Sequence, residues 1–163
     1  MKRISTPIDK EIIKTLKKGD IVLLSGTMYT ARDAAHKKML DILRNTGEVP
    51  LKGQTLYYAG PCPPKPQECV GSIGPTSSYR MDDYTPIFLE NGILSTIGKG
   101  QRAQKVHDAI KKYGGVHFDA IGGAGAYYKS CVTSCETVFF PELGAEAVYK
   151  LEIKDFPCIV SIV

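Results

Sequence analysis

Short apolar segments alternate along this chain with segments of helical periodicity, and this alternation constrains the fold more than any other feature. Residues 20–26 form an apolar run that ends in glycine, which is typical of a strand buried on both faces. From Thr30 onward the apolar residues recur on one side of a helix, which Asn45-Thr46-Gly47 ends. The sequence therefore predicts a strand, a tight connection and a helix, in that order.

The same alternation continues to the C-terminus. Further strands are predicted at residues 55–59, 93–97, 116–121, 138–140, 147–153 and 157–163. Helices are predicted at residues 79–90 and 103–113, and Pro86 either breaks the first of them or begins it again. Strands that alternate with helices indicate an α/β fold with a layered sheet and flanking helices. Ligands of such folds gather in the loops at the carboxyl ends of the strands.

Length and composition exclude several classes of protein. The 163 residues predict a single domain, residues 1–163. A content of 43% hydrophobic and 23% charged residues is enough for a core and argues against intrinsic disorder. The net charge of +4 is too small and too dispersed to mark a nucleic-acid surface. No window approaches the ~20 apolar residues of a membrane span, so we expect a small-molecule partner.

The five cysteines are interpreted as reduced thiols. They are Cys62, Cys69, Cys131, Cys135 and Cys158. The N-terminus reaches Asp9 and Glu11 before any apolar stretch long enough for an export signal, so we expect a cytoplasmic protein. Six residues separate Cys62 from Cys69, and Cys131-x-x-x-Cys135 also lacks zinc-site spacing and a nearby histidine. The sequence therefore predicts no metal or cluster site in this chain.

Thr76 and Arg80 form the first pair of candidate binding residues. They are four positions apart, so on a helix they share a face, with Thr76 near the N-terminal end. Free N–H groups and the helix dipole favour an anion at that end, and the pair suits a carboxylate. The alternative is that Thr76 only caps the helix while Arg80 is a solvated surface charge.

Two further cations lie at predicted strand ends. Arg32 is predicted just inside a helix, where the dipole disfavours a cation unless a ligand or an acid is present. A surface interaction of Arg32 with Asp33 or His36 is the alternative to ligand binding. Lys99 stands between two glycines, which let backbone approach a ligand, so a ligand contact and a plain surface position both stay open.

The remaining candidates carry weaker signals. Residues 122–125 are rich in glycine, but the spacing departs from a dinucleotide fingerprint, so we expect a tight strand-to-helix turn whose exposed amides could still bind a carboxylate. His36 and His107 are predicted on helix surfaces and His117 beside the core. No trio of Cys, His and Asp has the local signature of a nucleophilic site.

Five spaced blocks of the sequence resemble one family in order and over nearly the whole chain. They are residues 24–37 (LSGTMYTARDAAHK), 74–82 (GPTSSYRMD), 97–100 (IGKG), 121–123 (IGG) and 141–147 (PELGAEA). They closely resemble the β subunit, or C-terminal domain, of class I fumarate hydratases and L(+)-tartrate dehydratases. Ala31 stands where related sequences often have glycine, and Ser77 where threonine is common. These small changes should leave the loop shape intact.

The resemblance implies a swivelling β/β/α domain that carries half of an active site. In the family a separate α subunit or N-terminal domain holds a four-iron, four-sulfur cluster on three cysteines, which acts as a Lewis acid. The cysteines of this chain do not map onto those ligands. The chain ends at Val163, soon after the last predicted strand, so we expect a stand-alone subunit. We also expect an exposed apolar face where the partner docks, through which the isolated chain self-associates.

The implied reaction is the reversible hydration of fumarate to L-malate, a hydro-lyase reaction of the assembled subunits. Arg32, Arg80 and Lys99 would hold the dicarboxylate, and Thr76 would lie beside the carbon that loses its proton. Removing that proton places extra negative charge on the neighbouring carboxylate, so fixed cations are stabilising there. L(+)-tartrate dehydration is the first alternative. A non-catalytic, diacid-binding or regulatory module of the same fold is the second.

Overall fold

The computed structural model describes residues 1–163 as a mixed α/β structure. Its strands are β1 (Lys2–Thr6), β2 (Ile21–Thr30), β3 (Thr55–Tyr57), β4 (Ser95–Gly98), β5 (Val116–Asp119), β6 (Val132–Phe139) and β7 (Val148–Ile162). Its α-helices are α1 (Lys10–Ile13), α2 (Asp33–Thr46), α3 (Thr85–Glu90), α4 (Gln104–Tyr113) and α5 (Gly125–Ser130). Two 3-10 helices, Ser78–Met81 and Pro141–Glu146, complete the structure. None of the helices combines the length and the apolar character needed to cross a membrane.

The seven strands form one sheet that is partly closed into a barrel. The strand order is β1-β2-β3-β4-β5-β7-β6, and β2 also pairs with β7. Strands β1 to β5 run parallel to one another, whereas β7 runs antiparallel to β2, β5 and β6. The α/β prediction is therefore confirmed, and the sheet closes through β7 because this strand is long enough to pair on both sides.

The strand β3 is buried on both faces, as its apolar sequence indicates. Tyr57 belongs to the larger hydrophobic cluster of 22 buried residues. Leu56 and Tyr58 belong to a second cluster of 10, which includes Met39 of α2 and Phe88 of α3. Because successive side chains of a strand point to opposite faces, one strand joins the barrel interior to the helical layer.

The helix ends agree with the sequence signals. Gly47 and Gly114 adopt left-handed conformations, with φ of 81° and 73°, directly after α2 and α4. Pro86 lies in the first turn of α3, so the predicted helix at residues 79–90 begins again there. Its first part is the 3-10 helix Ser78–Met81.

The two ends of the chain differ from the prediction. Strand β1 and helix α1 were not predicted, and β6 begins at Val132 instead of residue 138. The strands predicted at 147–153 and 157–163 are one strand, β7, that passes through Pro157. Asp155 has a φ of 51° and its N–H donates to the Ser25 hydroxyl, 3.0 Å away, where the pairing with β2 shifts register. This β-bulge lets β7 bend without ending.

A buried ion pair joins the first 3-10 helix to the segment before α4. The side chain of Arg102 is only 1% exposed, and its Nε donates to Asp82 Oδ1 at 2.9 Å. Its Nη2 donates to Thr85 Oγ1 at 2.8 Å and to the Ser78 carbonyl at 3.2 Å, while Nη1 donates to the Tyr58 hydroxyl at 3.1 Å. The burial of Arg102 is not predicted from the sequence, because a single arginine after GKG carries no local signal of burial.

Two histidines are fully buried. His36 is 1% exposed and its ring stacks on Phe88 at 5.4 Å, so its predicted place on a helix surface is wrong. His117 accepts or donates hydrogen bonds with Thr96 Oγ1 at 2.8 Å and Ser78 Oγ at 3.3 Å. Burial lowers the pKa of His36 to about 4 and holds the pKa of His117 well below its ordinary value. Both imidazoles are therefore neutral at pH 7.

The Asp82→Asn variant is expected to lose about 3 kcal/mol in the free energy of unfolding, because it leaves the buried Arg102 charge without its counter-ion. Asp83→Asn is the matched control. Asp83 pairs with Lys105 on the surface, where its side chain is 87% exposed, so its loss should leave stability nearly unchanged. Urea unfolding of the two variants measures the difference. Equal midpoints would contradict the structural role given to the buried pair.

Stability is expected to fall as the pH drops from about 6.5 to about 4. The unfolded chain binds protons at His36 and His117 in this interval, whereas the folded chain excludes them, so protonation favours unfolding. A His36→Phe variant should show a shallower fall, because it keeps a ring beside Phe88 and removes one titrating group. Urea unfolding at a series of pH values tests this, and identical slopes for the variant and the unaltered chain would count against it.

Candidate functional site

Four parallel strands, β2 to β5, end at one edge of the sheet, and the candidate residues follow them. Arg32 comes after β2, Gly60 after β3, Lys99 after β4 and Gly122 after β5. The Ala31 N–H donates to the Tyr57 carbonyl at 3.0 Å, which ties the segment before α2 to the end of β3. This edge is where ligands of α/β proteins bind.

Arg32 lies over Gly60. A Cβ atom at position 60 would come within 2.9 Å of Arg32 Cδ and 3.1 Å of its Nη1, so only glycine leaves room for this side chain. Arg32 Nε is buried and has no hydrogen-bond partner within the chain. Buried polar groups in folded proteins are almost always paired, so this guanidinium is short of an acceptor. Gly60 was not predicted as a site residue, because it stands in a proline-rich loop without a functional motif.

The prediction that Arg32 lies just inside α2 is wrong. Arg32 is the N-cap residue of α2, and its backbone is extended. Asp33 is not its ion-pair partner. The carbonyl oxygen of Arg32 instead faces His36 Nδ1 at 2.8 Å. The local interaction between Arg32 and His36 thus uses the Arg32 backbone carbonyl, and the Arg32 guanidinium is left available for a ligand.

Thr76 and Arg80 do not share a helical face, which corrects the prediction from their spacing. Thr76 precedes the 3-10 helix Ser78–Met81, and Ser77 is the residue at its N-cap. The Thr76 N–H donates to the Tyr58 carbonyl at 2.6 Å, so Thr76 is fixed at the carboxyl end of β3. The pattern of residues suggested an α-helix, but the buried Arg102 pair described above holds this segment as a short turn.

Arg80 projects from the 3-10 helix and pairs with the first turn of α2. Its Nε lies 2.9 Å from Asp33 Oδ2, and the two side chains are 43% and 35% exposed. Asp33 Oδ1 is buried without a partner. The alternative in which Asp33 pairs with Arg32 is therefore wrong, because the fold brings Arg80 to Asp33 from a segment 47 positions away.

Lys99 joins the 3-10 helix segment to the Gly122 loop. Its carbonyl oxygen accepts the Ser78 N–H at 2.8 Å. Its side chain lies along Gly122, where an added Cβ would be 3.5 Å from Lys99 Cδ and 3.9 Å from Nζ. The preceding Gly98 is required by packing, because a Cβ there would overlap the Ser78 hydroxyl oxygen. Lys99 therefore lies at the strand end that the sequence predicted.

The glycine-rich segment 122–125 makes a tight turn from β5 into α5, as expected. Gly123 has a φ of 79°, which suits glycine. This turn places Ile121 and Tyr127 on the surface, 57% and 56% exposed, and Tyr79 beside Arg80 is 67% exposed. Three large hydrophobic side chains are thus exposed in the segments that follow or precede the cationic strand ends.

The arrangement concentrates positive charge where the strands end. Arg32, Arg80 and Lys99 come from three separate segments, and Asp33 is the acid that pairs with one of them. Guanidinium groups bind carboxylates through paired hydrogen bonds, and an ammonium adds a mobile point charge. Chemically, this edge can bind a small molecule with more than one carboxylate. The catalytic and binding roles given to these side chains remain predictions.

The cysteines do not form a cluster site. All five are free thiols. Cys62, Cys69 and Cys135 line a cavity of about 440 Å³, and burial raises the pKa of Cys135 to about 11. No three of the His, Cys, Asp and Glu side chains are placed to hold a metal ion. The donor groups of this chain therefore do not fit an iron-sulfur cluster, which requires several thiolates at one point.

Comparison with known proteins gives two kinds of relative. The class I aerobic fumarate hydratase of Escherichia coli K12 is 37% identical over 160 residues, which cover 94% of this chain and 29% of that protein. Fumarate hydratase 2 of Leishmania major is 38% identical over 165 residues, which cover 98% of this chain and 29% of that protein. The chain thus spans less than a third of the length of these enzymes.

A relative of similar size is the "Putative L(+)-tartrate dehydratase subunit beta" of Methanocaldococcus jannaschii. It is 39% identical over 163 residues, which cover 94% of this chain and 83% of that protein. The family model described as Fumarase C-terminus matches residues 2–163. Since this match includes nearly every residue, the chain belongs to the fumarase C-terminus family.

Proposed function

We propose that this chain is the β subunit of a two-subunit hydro-lyase that hydrates fumarate reversibly to L-malate. The observation that carries the proposal is the placement of Arg32, Arg80 and Lys99 at one edge of the sheet, with Thr76 fixed at the end of the middle strand. Similarity to class I fumarate hydratases over nearly the whole chain supports this reaction.

The cations are proposed to bind the two carboxylates of the substrate. Arg80 keeps its Nη groups available because Asp33 engages its Nε. Arg32 has an unpartnered Nε in the buried part of the site. Lys99 lies along the Gly122 loop, where its Nζ can approach a carboxylate without obstruction from a side chain. Loss of a proton beside a carboxylate makes that carboxylate more negative, so these groups stabilise the transition state more than the ground state.

Thr76 is proposed to hold the proton that leaves or joins the substrate carbon. Its position is set by the hydrogen bond from its N–H to the Tyr58 carbonyl at 2.6 Å. A threonine alkoxide is costly in water because the hydroxyl is a weak acid, so the nearby cations must stabilise it or an acidic group of the partner must take the proton onward.

The other half of the site is assigned to an α subunit with the four-iron, four-sulfur cluster. The cysteines of residues 1–163 do not fit that group, and the proposal therefore assigns the cluster to the α subunit. The exposed hydrophobic side chains of Tyr79, Ile121 and Tyr127 suit a protein partner. The five free thiols agree with the reducing cytoplasm, where we place the enzyme.

We further propose that residues 1–163 act as one swivelling domain. The candidate cations lie at an open edge of the sheet, with Arg80 43% exposed at its side chain. A site of this kind excludes water only when another surface covers it, and rotation of the whole domain toward the α subunit would bring that surface into contact.

L(+)-tartrate dehydration is the second candidate function. The observation that favours it is the relative of similar size, the Methanocaldococcus jannaschii protein, of which this chain covers 83%. Tartrate carries one more hydroxyl than malate, and a few polar contacts decide between the two. Some of those contacts would come from the α subunit.

Arg80→Ala is expected to lower kcat/KM of the assembled enzyme by about a hundredfold or more, because a transition-state contact is lost. Arg44→Ala is the matched control, since Arg44 is exposed in the last turn of α2. Initial rates with malate and fumarate measure the effect, with thermal unfolding as the check on folding. Unchanged kinetics in the Arg80 variant would instead favour a non-catalytic diacid-binding module.

The isolated chain is expected to fold and to be inactive with every diacid, because half of the site is on the partner. Mixing it with the α subunit that copurifies should restore dehydration of malate. Ultraviolet absorbance follows the unsaturated product of malate, and a coupled assay follows the product of tartrate. Activity of the isolated, iron-free chain would contradict the two-subunit proposal, and water loss from tartrate alone would replace fumarate hydration with the second candidate.

A further inference from the structure

The first turn of α2 contacts both of the arginines that the proposed function assigns to the substrate. This turn holds Asp33 and His36, and Arg32 stands directly before it. Three buried polar atoms here have no partner within the chain, namely Arg32 Nε, Asp33 Oδ1 and His36 Nε2. Such a concentration of unpaired atoms in one turn is typical of a site prepared for a ligand.

His36 holds the backbone of Arg32. The Arg32 carbonyl oxygen accepts the His36 backbone N–H at 2.9 Å and faces His36 Nδ1 at 2.8 Å, so Nδ1 must carry the proton. The imidazole is 1% exposed and stacks on Phe88 at 5.4 Å, and its edge meets Tyr58 at 5.4 Å. Burial keeps the ring neutral over the physiological pH range, so its one N–H is the Nδ1 donor and Nε2 is an unprotonated acceptor. The ring therefore has little freedom to release the Arg32 carbonyl.

Asp33 holds the side chain of Arg80. The distance from Arg80 Nε to Asp33 Oδ2 is 2.9 Å, and a bond to Nε leaves the edge between the two Nη groups open to a carboxylate. Asp33 stands in the first turn of the helix, where the dipole favours its negative charge. The two segments are 47 positions apart in the chain, so this pair also fixes the 3-10 helix relative to α2.

We propose that Asp33 and His36 are positioning residues that align Arg80 and Arg32 for the two carboxylates of one substrate molecule. The inference rests on the proposed function and adds two residues to it. Neither residue needs to touch the substrate. Asp33 restricts the Arg80 guanidinium, and His36 fixes the backbone from which the Arg32 side chain extends, so less entropy is lost on binding and at the transition state.

The test for Asp33 uses the assembled enzyme. Asp33→Ala removes the acceptor of Arg80 Nε and is expected to lower kcat/KM for malate about tenfold or more. Asp33→Asn keeps an oxygen at the same place and should recover most of the loss. Asp41→Asn is the control, because Asp41 is exposed on the same helix and the change in charge is equal. Full activity of the Asp33→Ala enzyme would overturn the proposal for this residue.

The test for His36 compares two variants. His36→Phe keeps a ring beside Phe88 and loses the donor to the Arg32 carbonyl, so kcat/KM should fall about tenfold. His36→Asn should restore much of the activity, because an asparagine amide can reach the carbonyl four residues earlier. Asn91 in this chain already makes that contact, from Nδ2 to the Ile87 carbonyl at 2.8 Å. A purely structural role would instead make asparagine the worse substitute, because it leaves the packing beside Phe88 unfilled.

A readout without catalysis separates this inference from the proposed function. In the full chain labelled with ¹⁵N-arginine, the Nε–H of Arg80 should exchange with solvent more slowly than that of exposed Arg44. The Asp33→Ala variant should remove this protection, and Asp41→Asn should keep it. Unaltered protection in Asp33→Ala overturns the alignment of Arg80. An assembled enzyme that acts on no diacid, with protection lost as expected, overturns only the proposed function.

Discussion

The geometry of the candidate site depends on a buried charge that does not belong to it. Arg102, 1% exposed at its side chain, binds Asp82 and the Ser78 carbonyl, and so holds the 3-10 helix that carries Arg80 against the end of β4. A buried guanidinium is costly without several acceptors, and this segment supplies Asp82 Oδ1, Thr85 Oγ1 and the Ser78 carbonyl. The same turn places Ser78 against Gly98, which admits no larger residue. A charge in the core thus determines where a surface arginine stands.

Each candidate cation is supported by a different kind of interaction. Arg32 has space because Gly60 lacks a side chain, Arg80 is held by Asp33, and Lys99 extends along Gly122. These supports come from segments that are distant in sequence, and the parallel strands bring them to one edge. The exposed Tyr79 and Ile121 beside them extend this edge as an apolar surface. Membership of the fumarase C-terminus family supports the proposal that a diacid and a partner subunit meet at this edge.

Much of the fold follows from local physical rules. Glycines at positions 47 and 114 end α2 and α4 because they adopt a left-handed backbone, and Pro86 begins α3 because its ring suits a first turn. The length of β7 could not be predicted in this way. Pro157 and the bulge at Asp155 are local features that usually end a strand, yet β7 continues through them. Pairing with β2 and β5 outweighs them, and pairing is a tertiary interaction.

The sequence by itself determined the alternation of strands and helices, the identities of the candidate cations and the family to which their motifs are similar. Periodicity, capping and turn chemistry act over a few residues, so they can be read along the chain. Only the tertiary structure decided that Asp33 pairs with Arg80 and not with Arg32, that His36 is buried, and that Thr76 lies outside the helix. Those outcomes depend on which distant segments pack together beside β3. The buried side chains of Arg102 and His36 help to fix that packing, because each needs partners from other segments.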